Sequence, residues 1–241
     1  MGAGADVTGM DAVAAAAATE ATEVKEATAR RFIDLALECD ALRFGEFELK
    51  SGRLSPYFLN TGRFNSGRAL AELGRCYAET IRAAGFEFDM LYGPAYKGIP
   101  LVASVAVAFA FFDGGGARDV PYAFNRKEAK DHGEGGTTVG APLSGRVLIV
   151  DDVISAGTAS RESLAIIGAA GAAPMGFVIS LDREERGIGR KSAAREMRED
   201  RGLPVVAVAN ARQLLRVVER RPDLAPHAPA MRAYLERYGE R

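Results

Sequence analysis

Short apolar runs alternate with longer amphipathic stretches along most of the chain. Because the runs are short and end in polar or turn-forming residues, they predict buried strands. The predicted strands are Met90–Tyr92, Tyr122–Phe124, Val147–Val150, Phe177–Leu181 and Val205–Ala209. The stretches between them predict helices over Arg68–Ala84, Leu101–Phe111 and Ser160–Ala169. This alternation is typical of a central parallel sheet flanked by crossover helices, so the sequence predicts an α/β fold.

The residues before this alternation predict a smaller N-terminal unit. Apolar residues recur near helical spacing from Glu26 to Leu42, which predicts an amphipathic helix. Strand-like segments at Phe44–Leu49 and Tyr57–Asn60 flank a polar, turn-rich stretch at 50–56, so they predict a hairpin. Since the chain length suits one large domain, we expect residues 25–241 to form a single domain in which the hairpin is a small hood.

Composition excludes several classes of protein. The 31 basic and 32 acidic residues leave no excess of positive charge, which argues against generic nucleic-acid binding. The two cysteines, Cys39 and Cys76, form no CxxC pair, so neither a disulfide framework nor a zinc site is indicated. A reducing cytoplasm fits this cysteine usage best.

The first 24 residues differ from the rest of the chain. They contain no Lys or Arg, and acidic residues surround an alanine run at Ala14–Ala18. Signal and transit peptides need positive charge, so neither is indicated, and we expect a poorly ordered tail. A myristoylation motif would need Ser or Thr where Asp6 stands. No stretch approaches the roughly 18 apolar residues of a membrane span.

The predicted strand Val147–Val150 ends in two carboxylates, Asp151 and Asp152. In open parallel sheets ligands bind beyond the carboxyl ends of the strands. Small residues follow at 155–158 and lead into a helix, where backbone amides and the helix dipole favour a phosphate. Adjacent carboxylates suit sugar hydroxyls or a hydrated cation. The segment therefore predicts a site for a phosphorylated sugar, against the alternative of a solvated strand end and an ordinary helix cap.

The run from Ile149 to Thr158 resembles the phosphoribosyl-diphosphate binding motif of the type I phosphoribosyltransferases. Three further segments resemble the orotate phosphoribosyltransferases in particular, at 44–60, 93–100 and 124–136. The resemblance extends from about Phe32 to the C-terminus. One departure is Leu59, where many members carry a second Phe. The resemblance implies that this position contacts orotate through its backbone, so we expect little effect.

The resemblance implies roles for individual residues. Lys130, Asp151 and Asp152 are the predicted catalytic residues. The residues expected to bind phosphoribosyl diphosphate are Lys50, Tyr96, Lys97, Arg126, Lys127, Lys130, His132, Asp151, Asp152, Val153, Ile154, Ser155, Ala156, Gly157, Thr158 and Ala159. The residues expected to bind orotate are Phe58, Leu59, Ser155 and Arg183. Orotate carries a carboxylate, and a planar guanidinium such as that of Arg183 can bind one through two hydrogen bonds.

The charged segment Arg126–Thr138 places four basic side chains on one glycine-ended loop, which suits closure over a diphosphate. Acidic residues in the same loop leave a solvated surface segment as the alternative. The resemblance implies that the loop contributes to the neighbouring subunit's site, hence a homodimer. It also implies Mg²⁺, held mainly by the substrate, with Asp151 and Asp152 as candidates for contact through water.

These inferences predict transfer of ribose 5-phosphate from phosphoribosyl diphosphate to orotate, without a covalent nucleophile. Two alternatives stay open. A purine phosphoribosyltransferase shares the acidic strand end but has no need of Arg183 or of the charged loop as written. A non-catalytic regulator could bind phosphoribosyl diphosphate and act on nucleic acid, although the near-zero net charge argues against it.

Overall fold

The body of the protein is a six-stranded sheet with helices on both faces. The computed structural model describes residues 7–112, 116–128, 137–154, 158–187 and 189–240, without the side chains of 7–18, 20 and 158. The strands are β1 (Leu42–Glu48), β2 (Leu54–Leu59), β3 (Met90–Gly93), β4 (Tyr122–Asn125), β5 (Thr138–Gly140), β6 (Arg146–Asp151), β7 (Ala173–Asp182) and β8 (Val205–Asn210). The helices are α1 (Val7–Glu38), α2 (Gly67–Ala83), α3 (Gly98–Phe111), α4 (Thr158–Ala169), α5 (Ala193–Arg201), α6 (Ala211–Arg220) and α7 (Ala228–Tyr238). Two 3-10 turns lie at Thr61–Arg63 and Ala225–His227.

The strand order of the large sheet is β5-β4-β3-β6-β7-β8, and every pair is parallel except β4 with β5. Successive residues of β6 point to opposite faces. Leu148 and Val150 join the core beneath α1, α2, α3 and α6, whereas Val147 and Ile149 join the core beneath α4 and α5. All four side chains are fully buried. The predicted α/β fold, a central parallel sheet flanked by helices, is confirmed.

The small hood is the antiparallel hairpin of β1 and β2, and α7 packs against it. Tyr57 of β2 meets Tyr234 of α7 edge to face at 6.5 Å, and Phe44 of β1 stacks on His227 at 4.8 Å. Strand β2 starts at Leu54, three residues before the predicted start. The hood is therefore fixed by the C-terminal helix.

The first helix differs from the prediction at both ends. It begins at Val7 and ends at Glu38, whereas the hydrophobic pattern predicted Glu26–Leu42. Alanine has the highest helix propensity, which accounts for the helical backbone through the alanine-rich stretch. The C-terminal end follows from Asp40, which adopts a left-handed conformation at φ 54. The division of the chain at residue 24 stays a prediction.

Strand β5 and helix α5 were not predicted, and Thr138, the first residue of β5, was interpreted as the end of the charged loop. Helix α5 is rich in charged residues and is capped by Ser192, whose side chain accepts a hydrogen bond from the backbone N–H of Arg195. Among the described residues, no helix combines the length and the apolar character that a membrane crossing requires.

Helices α2 and α3 pack closely because Gly74 has no side chain. A Cβ atom at Gly74 would lie 2.4 Å from the carbonyl oxygen of Ser104. We therefore expect Gly74→Ala to lower the free energy of unfolding by about 1–3 kcal/mol, measured by urea denaturation. Gly168→Ala in α4 is the matched control, because nothing lies within 4 Å of its added Cβ. The control should be neutral or slightly stabilising, and equal losses in both variants would contradict the prediction.

Candidate active site

The carboxyl end of β6 carries two aspartates whose backbone is held on several sides. The Asp151 carboxylate accepts from the N–H of Asp152 at 2.8 Å, and the Asp152 carboxylate accepts from the N–H of Val153 at 2.8 Å. The Tyr77 hydroxyl donates to the Asp151 carbonyl at 2.8 Å. The Ser180 hydroxyl and N–H both donate to the Asp152 carbonyl, at 2.5 and 2.9 Å. These bonds fix the position of both carboxylates before any ligand arrives.

The Asp152 carboxylate is the meeting point of three segments. Lys97, on the loop after β3, places its Nζ 2.7 Å from Oδ2 of Asp152. Thr61, in the 3-10 turn after β2, donates from its hydroxyl to the same oxygen at 3.1 Å. Asp152 is 8% exposed, while the Lys97 side chain is 52% exposed. Lys97 therefore neutralises the buried carboxylate of Asp152, while its own ammonium group stays accessible to a ligand.

Burial raises the pKa of Asp151, the neighbouring Asp152 charge raises it further, and Lys97 acts in the opposite direction. A carboxyl whose pKa is raised by folding binds its proton more tightly in the folded state. Its ionisation therefore destabilises the fold as the pH rises from about 4, the ordinary pKa of aspartate, through the raised pKa of the folded state. Bringing a cation or sugar hydroxyls to this carboxylate would favour its charged form. The free protein thus holds Asp151 at an energetic cost that a ligand can relieve.

This cost yields a prediction about stability. We expect Asp151→Asn to be more stable than the parent protein by about 1–2 kcal/mol at neutral pH, with the difference vanishing near the ordinary aspartate pKa. The asparagine retains an oxygen for the N–H of Asp152. Denaturant unfolding between pH 4 and 8 measures the trend, with exposed Asp119→Asn as the matched control. A stabilisation independent of pH would contradict the assigned cause.

The loop at 94–97 is tightly wound between two glycines. The N–H of Gly98 donates to the Pro94 carbonyl at 2.9 Å. A Cβ atom at Gly93 would lie 2.2 Å from the Gly98 carbonyl oxygen, so any larger residue would force the loop open. The peptide bond between Ala95 and Tyr96 is cis, and Tyr96 is 71% exposed. The loop presents Tyr96 and Lys97 at the edge of the sheet where Asp152 lies.

Arg183, after β7, has a guanidinium group held on three sides. Its Nε and Nη2 atoms lie 2.7 and 2.6 Å from Oε1 of Glu185. Nη2 also donates to the Ser55 hydroxyl at 2.8 Å, and the guanidinium carbon lies 4.2 Å from the centre of the Tyr57 ring. The side chain is 19% exposed. This arrangement joins the hood to the end of β7 and fixes the plane of the guanidinium.

The other predicted hood residues lie in the hairpin of β1 and β2. Lys50 is exposed in the turn between β1 and β2. Phe58 is 39% exposed and stacks on Phe47 at 5.5 Å, and Leu59 packs against the core. Phe58 also lines a cavity of about 350 Å³ together with Ala41, Arg43, Phe47, Asn60 and Arg63. Among the described residues, no hydrogen bond or ion pair joins Lys50 to Asp151 or Asp152.

The described part of the charged loop is its two ends. The Arg126 N–H donates to the Thr137 carbonyl at 2.8 Å, and Asn125 pairs with Thr138 in the ladder of β4 and β5. Lys127 is exposed and lies 3.9 Å from Glu162. The two ends of the loop thus continue from β4 and lead into β5.

Several predicted residues lie outside the described part of the chain: Lys130, His132, Ser155, Ala156 and Gly157. The side chain of Thr158 also lies outside it, while its backbone begins α4. Of the neighbouring residues, Val153 is 37% exposed, Ile154 packs against the core and Ala159 is exposed. The roles of all these residues stay predictions.

A model of the phosphoribosyl transferase domain family matches residues 62–209. The orotate phosphoribosyltransferase of Xanthomonas euvesicatoria is 59% identical over 212 residues, which are 87% of this chain and 95% of that protein. The one of Pseudomonas aeruginosa is 57% identical over 214 residues, which are 89% and 99% of the two chains. This chain belongs to the orotate phosphoribosyltransferase family.

A solved structure of this family agrees with the fold. The crystal structure of orotate phosphoribosyltransferase from Francisella tularensis is 41% identical, with a TM-score of 0.76, and the match covers 87% of this chain and 99% of that one. The α/β body with its antiparallel hood is therefore the type I phosphoribosyltransferase fold. The similarity to orotate enzymes also decides against the purine alternative that the sequence left open.

The structure of this phosphoribosyltransferase shows contacts that sequence reasoning missed. Thr61 contacts Asp152, Ser55 contacts Arg183, and Asn125 accepts from the N–H of Ala95 at 2.7 Å. Asn125 offered a signal, since it is a polar residue at the carboxyl end of a predicted strand. Thr61 and Ser55 offered none, because their contacts depend on how the hood packs on the body.

Proposed function

We propose that the chain transfers the ribose 5-phosphate group of 5-phosphoribosyl 1-diphosphate to orotate, giving orotidine 5′-phosphate and diphosphate in UMP biosynthesis. The observation that carries the proposal is the convergence of Lys97 and Thr61 on the buried Asp152. It joins a carboxylate suited to ribose hydroxyls to a cation suited to diphosphate, at the edge of the sheet where ligands bind. The similarity to curated orotate phosphoribosyltransferases supports the choice of acceptor.

In this mechanism orotate N1 attacks C1 of the ribose while the bond from C1 to the diphosphate oxygen breaks, and the N1 proton is released to solvent. Positive charge develops on the ribose ring, and negative charge develops on the departing diphosphate. Electrostatic stabilisation is then the main contribution of the protein. Asp151 and Asp152 hold the ribose, Lys97 and the charged loop bind the diphosphate, and Arg183 orients the orotate carboxylate. The backbone at Phe58 and Leu59 holds the base.

The cysteines fit a mechanism without a covalent nucleophile. Burial raises the pKa of Cys76 to about 11, so its thiol stays protonated at neutral pH. Burial also raises the pKa of Cys39. A thiolate is the reactive form of cysteine, so both residues have a packing role.

Magnesium fits the donor chemistry of the site. No group of three or more Asp, Glu, His or Cys residues in the described part of the chain could hold a metal by itself. Mg²⁺ keeps several waters and commonly binds through one or two carboxylates together with substrate phosphates. We propose that the substrate holds the ion and that Asp151 and Asp152 contact it through water. When bound, the ion would neutralise charge on the departing diphosphate.

We further propose a cytoplasmic homodimer in which the charged loop of one subunit completes the active site of the other. The resemblance to the family supports this arrangement, and the described ends of the loop lie on β4 and β5, at one side of the sheet. Sedimentation at micromolar concentration measures the oligomeric state. A monomer with full turnover would contradict a shared site.

The decisive experiment follows loss of orotate by absorbance with purified protein, phosphoribosyl diphosphate and magnesium. Release of diphosphate in equal amount is the expected result. Adenine and hypoxanthine serve as acceptor controls and should give no reaction. Folded protein that fails to consume orotate would contradict the proposed activity.

A further inference from the structure

Asn125 is a buried amide at the carboxyl end of β4, 2% exposed, and lies beside the loop at 94–97. Its Oδ1 accepts from the backbone N–H of Ala95 at 2.7 Å. Its Nδ2 donates to Oε1 of Glu162 at 3.3 Å. Since an N–H can only donate and a carboxylate can only accept, the two partners determine the orientation of the amide.

Glu162 lies in the first turns of α4, the helix that follows the acidic strand end. Its Oε1 accepts from Asn125, while its Oε2 lies 3.9 Å from Nζ of Lys127. The bridge of Asn125 and Glu162 thus touches the loop at 94–97, the start of the charged loop and the start of α4. These are three of the segments expected to surround the diphosphate and the ribose phosphate.

The bridge acts on the backbone that carries Tyr96 and Lys97. Moving the loop would break the hydrogen bond of the half-buried Ala95 N–H, so this bond holds the loop against Asn125 as long as the amide keeps its orientation. A hydrogen bond to a charged acceptor is stronger than one between neutral groups, and Glu162 therefore anchors the amide. Displacing Ala95 would move Lys97 away from Asp152.

We propose that Asn125, anchored by Glu162, is a positioning residue that holds the loop at 94–97 in the geometry that binds diphosphate. This inference rests on the proposed role of that loop in binding phosphoribosyl diphosphate. In this role Asn125 acts through its hydrogen bond to Ala95 rather than by contact with a substrate. Its loss should therefore affect the affinity for the diphosphate-bearing ligands and spare the affinity for orotate.

The first test is Asn125→Ala in the full-length protein. We expect the KM for phosphoribosyl diphosphate and the product-inhibition constant of diphosphate each to rise about tenfold, the effect of losing one hydrogen bond of ordinary strength. The KM for orotate should change by less than about twofold, because the Arg183 site is separate. Equal rises for both substrates would overturn the proposal in favour of a general structural role.

The second test exchanges the amide of Asn125 and the carboxylate of Glu162. It also distinguishes the loss of this bridge from simple misfolding. Asn125→Asp keeps the acceptor for Ala95 but places two carboxylates together, whereas Glu162→Gln keeps an acceptor for Asn125. In the double variant, the new amide at position 162 can donate to the new carboxylate at position 125, so both hydrogen bonds are possible again. We expect Asn125→Asp alone to impair diphosphate binding about tenfold or more, and the double variant to recover to within about threefold of the parent. No recovery in a double variant that unfolds at the parent temperature would overturn the proposal.

Lys97→Ala separates failure of this inference from failure of the function on which it rests. If the loop binds diphosphate, this variant raises the KM for phosphoribosyl diphosphate by itself. A large effect of Lys97→Ala with none for Asn125→Ala would overturn the positioning role alone. No effect of either variant would overturn the role of the loop, and the positioning role with it.

Discussion

Replacing Arg183 with alanine should raise the KM for orotate about a hundredfold, because a carboxylate would then enter a half-buried site without its charged partner. The KM for phosphoribosyl diphosphate should stay within about threefold, since the Asp152 site draws on other residues. Initial-rate kinetics with each substrate varied in turn measures both constants. Equal rises for both substrates would contradict a role in recognising the base.

The structure explains why charge alone should not replace Arg183. Glu185, Ser55 and the Tyr57 ring hold the Nε and Nη2 edge and the face of the guanidinium. Lysine offers a point charge on a flexible stem and cannot make these contacts together. We expect Arg183→Lys to recover only part of the loss, leaving the orotate KM about tenfold above the parent value.

Arg53→Ala is the matched control for this prediction. Arg53 also pairs with Glu185, at 3.7 Å, and its guanidinium lies 5.0 Å from the Tyr238 ring. The control therefore removes a second cation from the same carboxylate without removing Arg183. Its orotate KM should change by less than about threefold. A hundredfold rise in the control would show that weakening of the Glu185 cluster, rather than the loss of Arg183 itself, causes the defect.

The fold was predictable wherever one physical signal dominates. The apolar run of β6 is buried on both faces, as its pattern predicted. Strand β5 spans three residues, and it exists because β4 offers an open edge for pairing. Helix α5 has little apolar surface, and its start depends on the Ser192 cap. Elements that depend on neighbours or caps leave a weak pattern in the sequence.

The contacts of the site also divide into those that strand ends predict and those that depend on packing between distant segments. Lys97 and Asp152 could be expected to meet because both follow parallel strands at one edge of the sheet, and they lie 2.7 Å apart. The contact of Thr61 with Asp152 spans 91 positions along the chain and arises from the packing of the hood. No local sequence pattern predicts a contact over this distance along the chain. The resemblance named the residues expected to touch substrates, whereas the structure adds the residues that hold them.

Replacing Lys130 with alanine should lower kcat about a hundredfold to a thousandfold, if its charge acts mainly on the departing diphosphate. Negative charge on that group is largest in the transition state, so the loss should fall on turnover rather than on binding of the base. The KM for orotate should stay within about threefold of the parent value. Equal losses in kcat and in orotate affinity would contradict this role.

Mixing two variants that are each defective at low orotate concentration tests where Lys130 acts. In a dimer of one Lys130→Ala subunit and one Arg183→Ala subunit, a loop that crosses the interface would give one site with both residues intact. Random reassociation of equal amounts should then restore about a quarter of the parent activity, since half of the dimers are mixed and each has one intact site. A loop that serves its own subunit would leave every site defective. Recovery of activity on mixing therefore requires the shared site, and its absence from mixtures shown to exchange subunits would contradict it.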